Sequence, residues 1–104
     1  MPALKLAPRN GHNVREINWR PEAQAALYHF ISYIADHDPA AARRMLSRIL
    51  ESVEPSRQHP NLGRIGRAPG TREIVAHPNY IVIYRTLPGV IEVLDVVHAR
   101  QEYP

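Results

Sequence analysis

Tyr80-Ile81-Val82-Ile83-Tyr84 is the stretch that decides the fold of this chain. Three consecutive β-branched residues between two tyrosines favour an extended, pleated backbone over a helix. No polar residue interrupts the run, so it reads as a central, buried strand. Outward from it lie two turns. His77-Pro78-Asn79 precedes it and Leu87-Pro88-Gly89 follows, and both are turn chemistry. Beyond the first turn, Thr71–Ala76 reads as a strand. Beyond the second, Val90–Val97 reads as another. There Ile91, Val93 and Val97 share one face, while Leu94 and Val96 break the alternation, as in a strand covered on both sides. Links this short make the three strands an antiparallel meander.

The first half has a different period. Ala23, Ala26, Leu27, Phe30, Ile31 and Ile34 recur at helical spacing, and Pro21 suits a first helical position, so a helix is predicted from Pro21 to Asp36. Asp38-Pro39 starts a second helix, whose first-turn amides the Asp38 carboxylate can accept. Ala42, Met45, Leu46, Ile49, Leu50 and Val53 continue its stripe until Pro55. The short link through His37 favours an antiparallel helical hairpin. Arg43, Arg44 and Arg48 fall off the stripe and read as a solvated face. Val14 to Trp19 reads as a short strand. The pattern therefore predicts an α+β fold: a short N-terminal strand, an antiparallel two-helix hairpin, then a three-stranded antiparallel meander, forming one sheet with the helices on one face. Pro2, Pro8 and Gly11 break any period at the start, so residues 1–13 read as an arm and 14–104 as a single domain.

Between the halves runs Gly63-Arg64-Ile65-Gly66-Arg67-Ala68-Pro69-Gly70-Thr71-Arg72. No Asp or Glu lies between Glu54 and Glu73, whereas Arg57, Arg64, Arg67 and Arg72 all do. Glycine permits tight turns and close approach. Arginine presents a charged fork matched to phosphate and carboxylate. The segment reads equally well as a working surface or as a basic connecting loop.

Composition narrows the rest. The 104 residues carry a formal net charge of +3, which favours polyanionic or acidic partners. There is no cysteine, so neither disulfides nor thiolate metal sites hold the fold, and a cytoplasmic location fits. No apolar run approaches a membrane span, and the N-terminus lacks the apolar stretch of a secretory signal. His29 and His37 are too far apart for a helical metal pair, and no phosphate-cradling Gly-Lys-Ser/Thr motif occurs, so no metal and no cofactor are predicted. Trp19, Tyr28, Tyr33, Tyr80 and Tyr84 read as core or core-edge residues.

Several segments together resemble the RelE/ParE superfamily of toxins from type II toxin–antitoxin modules. They are Trp19 before an Ala-rich helix ending in Tyr33-Ile34-Ala35, Pro39-Ala40-Ala41-Ala42-Arg43, and His59-Pro60-Asn61-Leu62-Gly63-Arg64. Gly66 to Glu73, Tyr80 to Arg85 and Val96-Val97-His98-Ala99-Arg100-Gln101 complete the set. The resemblance spans Val14 to Pro104. It implies a growth-inhibiting toxin wrapped and neutralised by an acidic antitoxin, whose segment would lie in an apolar groove beside the helices and sheet. ParE-like members poison DNA gyrase. RelE-like members cut messenger RNA on the ribosome, which needs acid–base groups and cations around a phosphate. Candidates for that chemistry are Arg72, His98, Arg100 and Tyr103, with Tyr84 beside them. Arg64, Arg67, Arg72 and Arg85 are candidates for contacting the target or nucleic acid. The chain departs from the ribonuclease pattern, with Ala76 and His77 where a basic residue commonly stands and Lys5 as its sole lysine. The departures favour the ParE-like reading over the RelE-like one. A third reading is a co-repressor that binds antitoxin without toxicity.

Overall fold

The computed structural model describes residues 14–101 and residue 103. The arm assigned to residues 1–13 lies outside the described residues. The elements are β1 (Glu16–Trp19), α1 (Pro21–Ala35), α2 (Pro39–Val53), a 3-10 turn (Glu54–Arg57), β2 (Arg64–Ile65), β3 (Arg72–His77), β4 (Tyr80–Leu87) and β5 (Val90–His98). The sheet runs in the order β1-β5-β4-β3-β2. The meander β3–β4–β5 is antiparallel, as its short turns dictate. β1 lies parallel to β5 at one edge, with Trp19 opposite Val93. The hairpin between β1 and the meander supplies the long crossover that a parallel neighbour requires.

Local chemistry sets the element ends. The Asp38 carboxylate accepts the Ala41 amide at 3.0 Å and caps α2. Pro21 opens α1 without a side-chain cap. Gly89 turns the β4–β5 hairpin at a φ of +73°, a conformation that side chains with a Cβ disfavour.

Apolar residues pack on both faces of the sheet, and the face away from the helices is the more open one. Toward the helices, Ile74, Val82, Tyr84, Ile91, Val93 and Val96 pack against Ala23, Ile49 and Val53. On the opposite face, Ile81, Ile83 and Val97 are covered by Leu94, Ala99 and Tyr103. The broken alternation in β5 has a physical cause. Ile83 pairs with Asp95 and Tyr84 with Val93, so Leu94 is an extra residue, a β-bulge. The bulge moves Val96 to the helix face and Val97 to the other, so Val97 does not share a face with Ile91 and Val93 as the alternation predicted.

Two further expectations are corrected. The basic connecting segment is not wholly loop, because Arg64–Ile65 form β2. Tyr28 and Tyr33 are not core residues, being 74% and 66% exposed. Both stand off the stripe that α1 turns inward.

Candidate functional site

The basic segment is organised by one buried acid. Glu73 is 3% exposed and lies on the sheet face opposite the helices, in register with Arg64 and Ile83. Its Oε1 accepts Arg64 Nε at 2.9 Å, and its Oε2 accepts the Arg67 backbone amide at 3.2 Å. The Arg67 guanidinium stands 3.9 Å from that carboxylate and 4.3 Å from the centre of the Tyr103 ring. Arg64, Arg67 and Tyr103 therefore form one patch on the open face, with both guanidinium groups about half exposed. The absence of acids before Glu73 was visible in the sequence, but not that this acid gathers the loop.

Arg72 goes elsewhere. Its strand position aligns with Tyr84 on the helix side, and its Nη1 donates to the Gly63 carbonyl at 2.7 Å and to the Asn61 carbonyl at 3.4 Å. These acceptors are neutral, so its charge has no carboxylate counterpart among the described residues. Arg85 projects to the open face, where Glu92 Oε1 accepts its Nε at 2.7 Å. That hydrogen bond, with help from Arg20, holds the Glu92 carboxyl below its ordinary pKa. Arg72 and Arg85 meet only at the rim of the sheet, beside Asn61, Thr71 and Thr86.

The candidate acid–base groups are spread out. His98 pairs with Tyr80, whereas Arg72 pairs with Tyr84 across two strands. The register sets their backbones roughly 13 Å apart along the strands and about 10 Å apart across them. His98 Nδ1 accepts the Arg100 amide at 3.2 Å, and its ring stands edge-on to Tyr80. Arg100 is exposed in the turn that follows β5. Tyr84 is fully buried. Its hydroxyl accepts the Gly63 amide at 2.9 Å and donates to the Pro60 carbonyl at 2.7 Å, which makes it a structural clamp. Among these candidates, the structure joins Arg67 to Tyr103 and Arg100 to His98, and leaves Arg72 apart.

At the end of β3, the His77 Nδ1 accepts the Asn79 amide at 3.0 Å. Burial, then the nearby Arg48 charge, lowers the His77 pKa. Sequence reasoning could not delimit the apolar groove that α1, α2 and the end of β1 form together. Trp19, Gln24, Leu27, Tyr28, Leu46 and Leu50 line this hollow of about 500 Å³. No group of His, Asp and Glu among the described residues is placed to hold a metal ion, and no described helix is long and apolar enough to cross a membrane.

The model of a family described as the ParE toxin of the type II toxin–antitoxin system, parDE, matches residues 17–103. The chain belongs to the ParE toxin family. Two relatives agree with a ParE/RelE-family toxin of a type II system. The Y4kP protein of Sinorhizobium fredii, a candidate toxin by its name, is 38% identical over 91 residues, covering 86% of this chain and 94% of the relative. Toxin RelE2 of Caulobacter vibrioides is 30% identical over 86 residues, covering 83% and 97%. The ParE-family fold also recurs in a structure of the chromosomal ParDE system of P. aeruginosa. That likeness has a TM-score of 0.74 at 21% identity, covering 83% of this chain and 97% of that one.

Proposed function

We propose that this protein stops growth by acting on DNA gyrase and is held in check by an acidic antitoxin encoded with it. The observation that carries the reading is the separation of Arg72 from His98, with the Tyr84 hydroxyl already committed to Gly63 and Pro60. Ribonuclease chemistry needs its acid, base and cation within reach of one phosphate. A toxin that poisons another enzyme by binding needs only a presented surface. Membership of the ParE family supports the same choice. The Arg64–Arg67–Tyr103 patch, exposed and fixed by Glu73, is the surface we assign to the target.

The antitoxin contact we assign is the apolar groove lined by Trp19, Leu27, Tyr28, Leu46 and Leu50. An amphipathic partner helix would place successive apolar side chains along it. The net charge of +3 favours an acidic partner.

A second reading, messenger cleavage, is favoured by the likeness to toxin RelE2. Pulse-labelling after induction without antitoxin separates them. An early fall in DNA synthesis is the expected result. An early fall in protein synthesis would replace the gyrase reading with a ribosome-linked ribonuclease. No effect on either, with antitoxin still bound, would leave only co-repression.

A further inference from the structure

Many arginines of this chain are neutralised where they stand. Arg64 and Arg67 share Glu73, Arg20 and Arg85 share Glu92, and Arg57 has Glu54. Arg43, Arg44 and Arg48 differ. They stand together on α2 and make no ion pair among the described residues. Arg44 and Arg48 are four residues apart, so they are neighbours on the helix surface, where like charges repel. The first turn of α2 carries no acid. Arg43 and Arg44 therefore add positive charge to the half of the helix whose backbone dipole is already positive. An isolated helix gains nothing from this placement.

The three arginines wall a shallow hollow of about 610 Å³ with Ser47 and Glu51, reaching Ala76 on β3. Arg43, Arg44, Ser47 and Arg48 are all exposed, and Glu51 is the one acid of the wall. Arg48 is held in place. Its Nε donates to the Ala76 carbonyl at 2.9 Å, which leaves both Nη groups for another acceptor.

The lining defines the chemistry of a ligand. Guanidinium forks suit phosphate and carboxylate alike. A protein partner is gripped mainly by apolar and aromatic anchors, and this wall presents no exposed apolar side chain. Unpaired bases are held by stacking, and the wall presents no aromatic ring. An open, polar, cationic surface of this kind matches the phosphate backbone of a duplex, which a protein contacts without reading bases.

We propose that this face of α2 binds the backbone of duplex DNA with little dependence on sequence. Arg48, pinned to Ala76, fixes one phosphate contact. Arg43 and Arg44 supply two more, and the Ser47 hydroxyl donates beside them. The surface lies across the sheet from the Arg64–Arg67–Tyr103 patch and is lined by other residues than the apolar groove. The proposal does not rest on the gyrase reading, because a grip on DNA serves a gyrase poison and a co-repressor alike.

The test measures binding of the full chain to a short labelled duplex of arbitrary sequence, over a series of salt concentrations. The R43Q/R44Q protein should bind about tenfold more weakly at low salt, and its salt slope should be smaller by about two. R64Q/R67Q should stay within about twofold of the parent, since those charges are remote and screened. The same sequence as a single strand should bind no more tightly than the duplex. A polyglutamate peptide of equal charge should not displace the duplex. Isotope-labelled parent protein should show the amide signals of Arg43 to Arg48 moving with added duplex, which needs no altered protein. An equal loss in R64Q/R67Q, tighter binding of the single strand, displacement by polyglutamate, or still signals on α2 would each overturn the proposal.

Discussion

The guanidinium carbon of Arg67 lies 4.3 Å from the centre of the Tyr103 ring, joining the basic loop to the C-terminal segment over the open face of the sheet. A cation over an aromatic face contributes about 0.5–1 kcal/mol where it is solvent-exposed. Arg67→Ala should therefore loosen the segment that covers Ile81, Ile83 and Val97. Amide exchange at Gln101, which donates to the His98 carbonyl, should quicken a few-fold while β4 is unchanged. Unchanged exchange at Gln101 would mean that apolar packing alone holds the segment.

Tyr84→Phe should cost stability out of proportion to one oxygen. The hydroxyl both accepts from Gly63 and donates to Pro60, and Gly63 is buried. Leaving such a group unpaired costs about 1–3 kcal/mol. Urea unfolding of the two proteins measures it directly. Equal midpoints would show that water or a rearranged loop replaces the phenol.

Glu73→Gln keeps the shape and removes the charge that gathers Arg64 and Arg67. The expected loss is about 1–3 kcal/mol, since a buried charged hydrogen-bond centre is replaced by a neutral one. The arginines can turn to solvent, which keeps the cost below that of a fully buried pair. Nuclear magnetic resonance should show the Arg64 and Arg67 side-chain signals narrowing as they gain motion. If they stay ordered, Tyr103 and the backbone hold the patch without the acid.

Stability should fall with acid in two separable stages. The His77 pKa lies below its ordinary 6.5 through burial and then the Arg48 charge, so the folded state resists the proton that the unfolded state accepts. Stability therefore declines as pH drops through 6.5 toward the lowered value. The Glu92 carboxyl, held low by Arg85 and Arg20, contributes fully above 4.5 and is lost below it as pH falls through the folded value. His77→Asn keeps an acceptor for the Asn79 amide and should flatten the first stage only. Glu92→Gln should flatten the second. A midpoint-against-pH series on both variants checks the assignment, and identical curves for variant and parent would refute it.

Much of the scaffold was legible before any coordinates. The stripes of α1 and α2, the Asp38 cap and the Tyr80–Tyr84 strand are written in periods of a few residues. They require only neighbours along the chain, so local sequence carries them. Segment order and the resemblance also placed the chain in its toxin family, which the match over residues 17–103 bears out.

Tertiary structure decided what local pattern leaves open. The bulge at Leu94 depends on how β5 registers against β4, and it reassigned Val96 and Val97 to opposite faces. Glu73 became the centre of the basic loop only because β2 and β3 align it with Arg64. Arg72 and Arg64 look equivalent in sequence, yet strand alternation sends them to opposite faces of the sheet. Composition fixes which charges a chain carries. Pairing between distant segments fixes which of them meet, because contacts across a sheet are set by register and not by distance along the backbone.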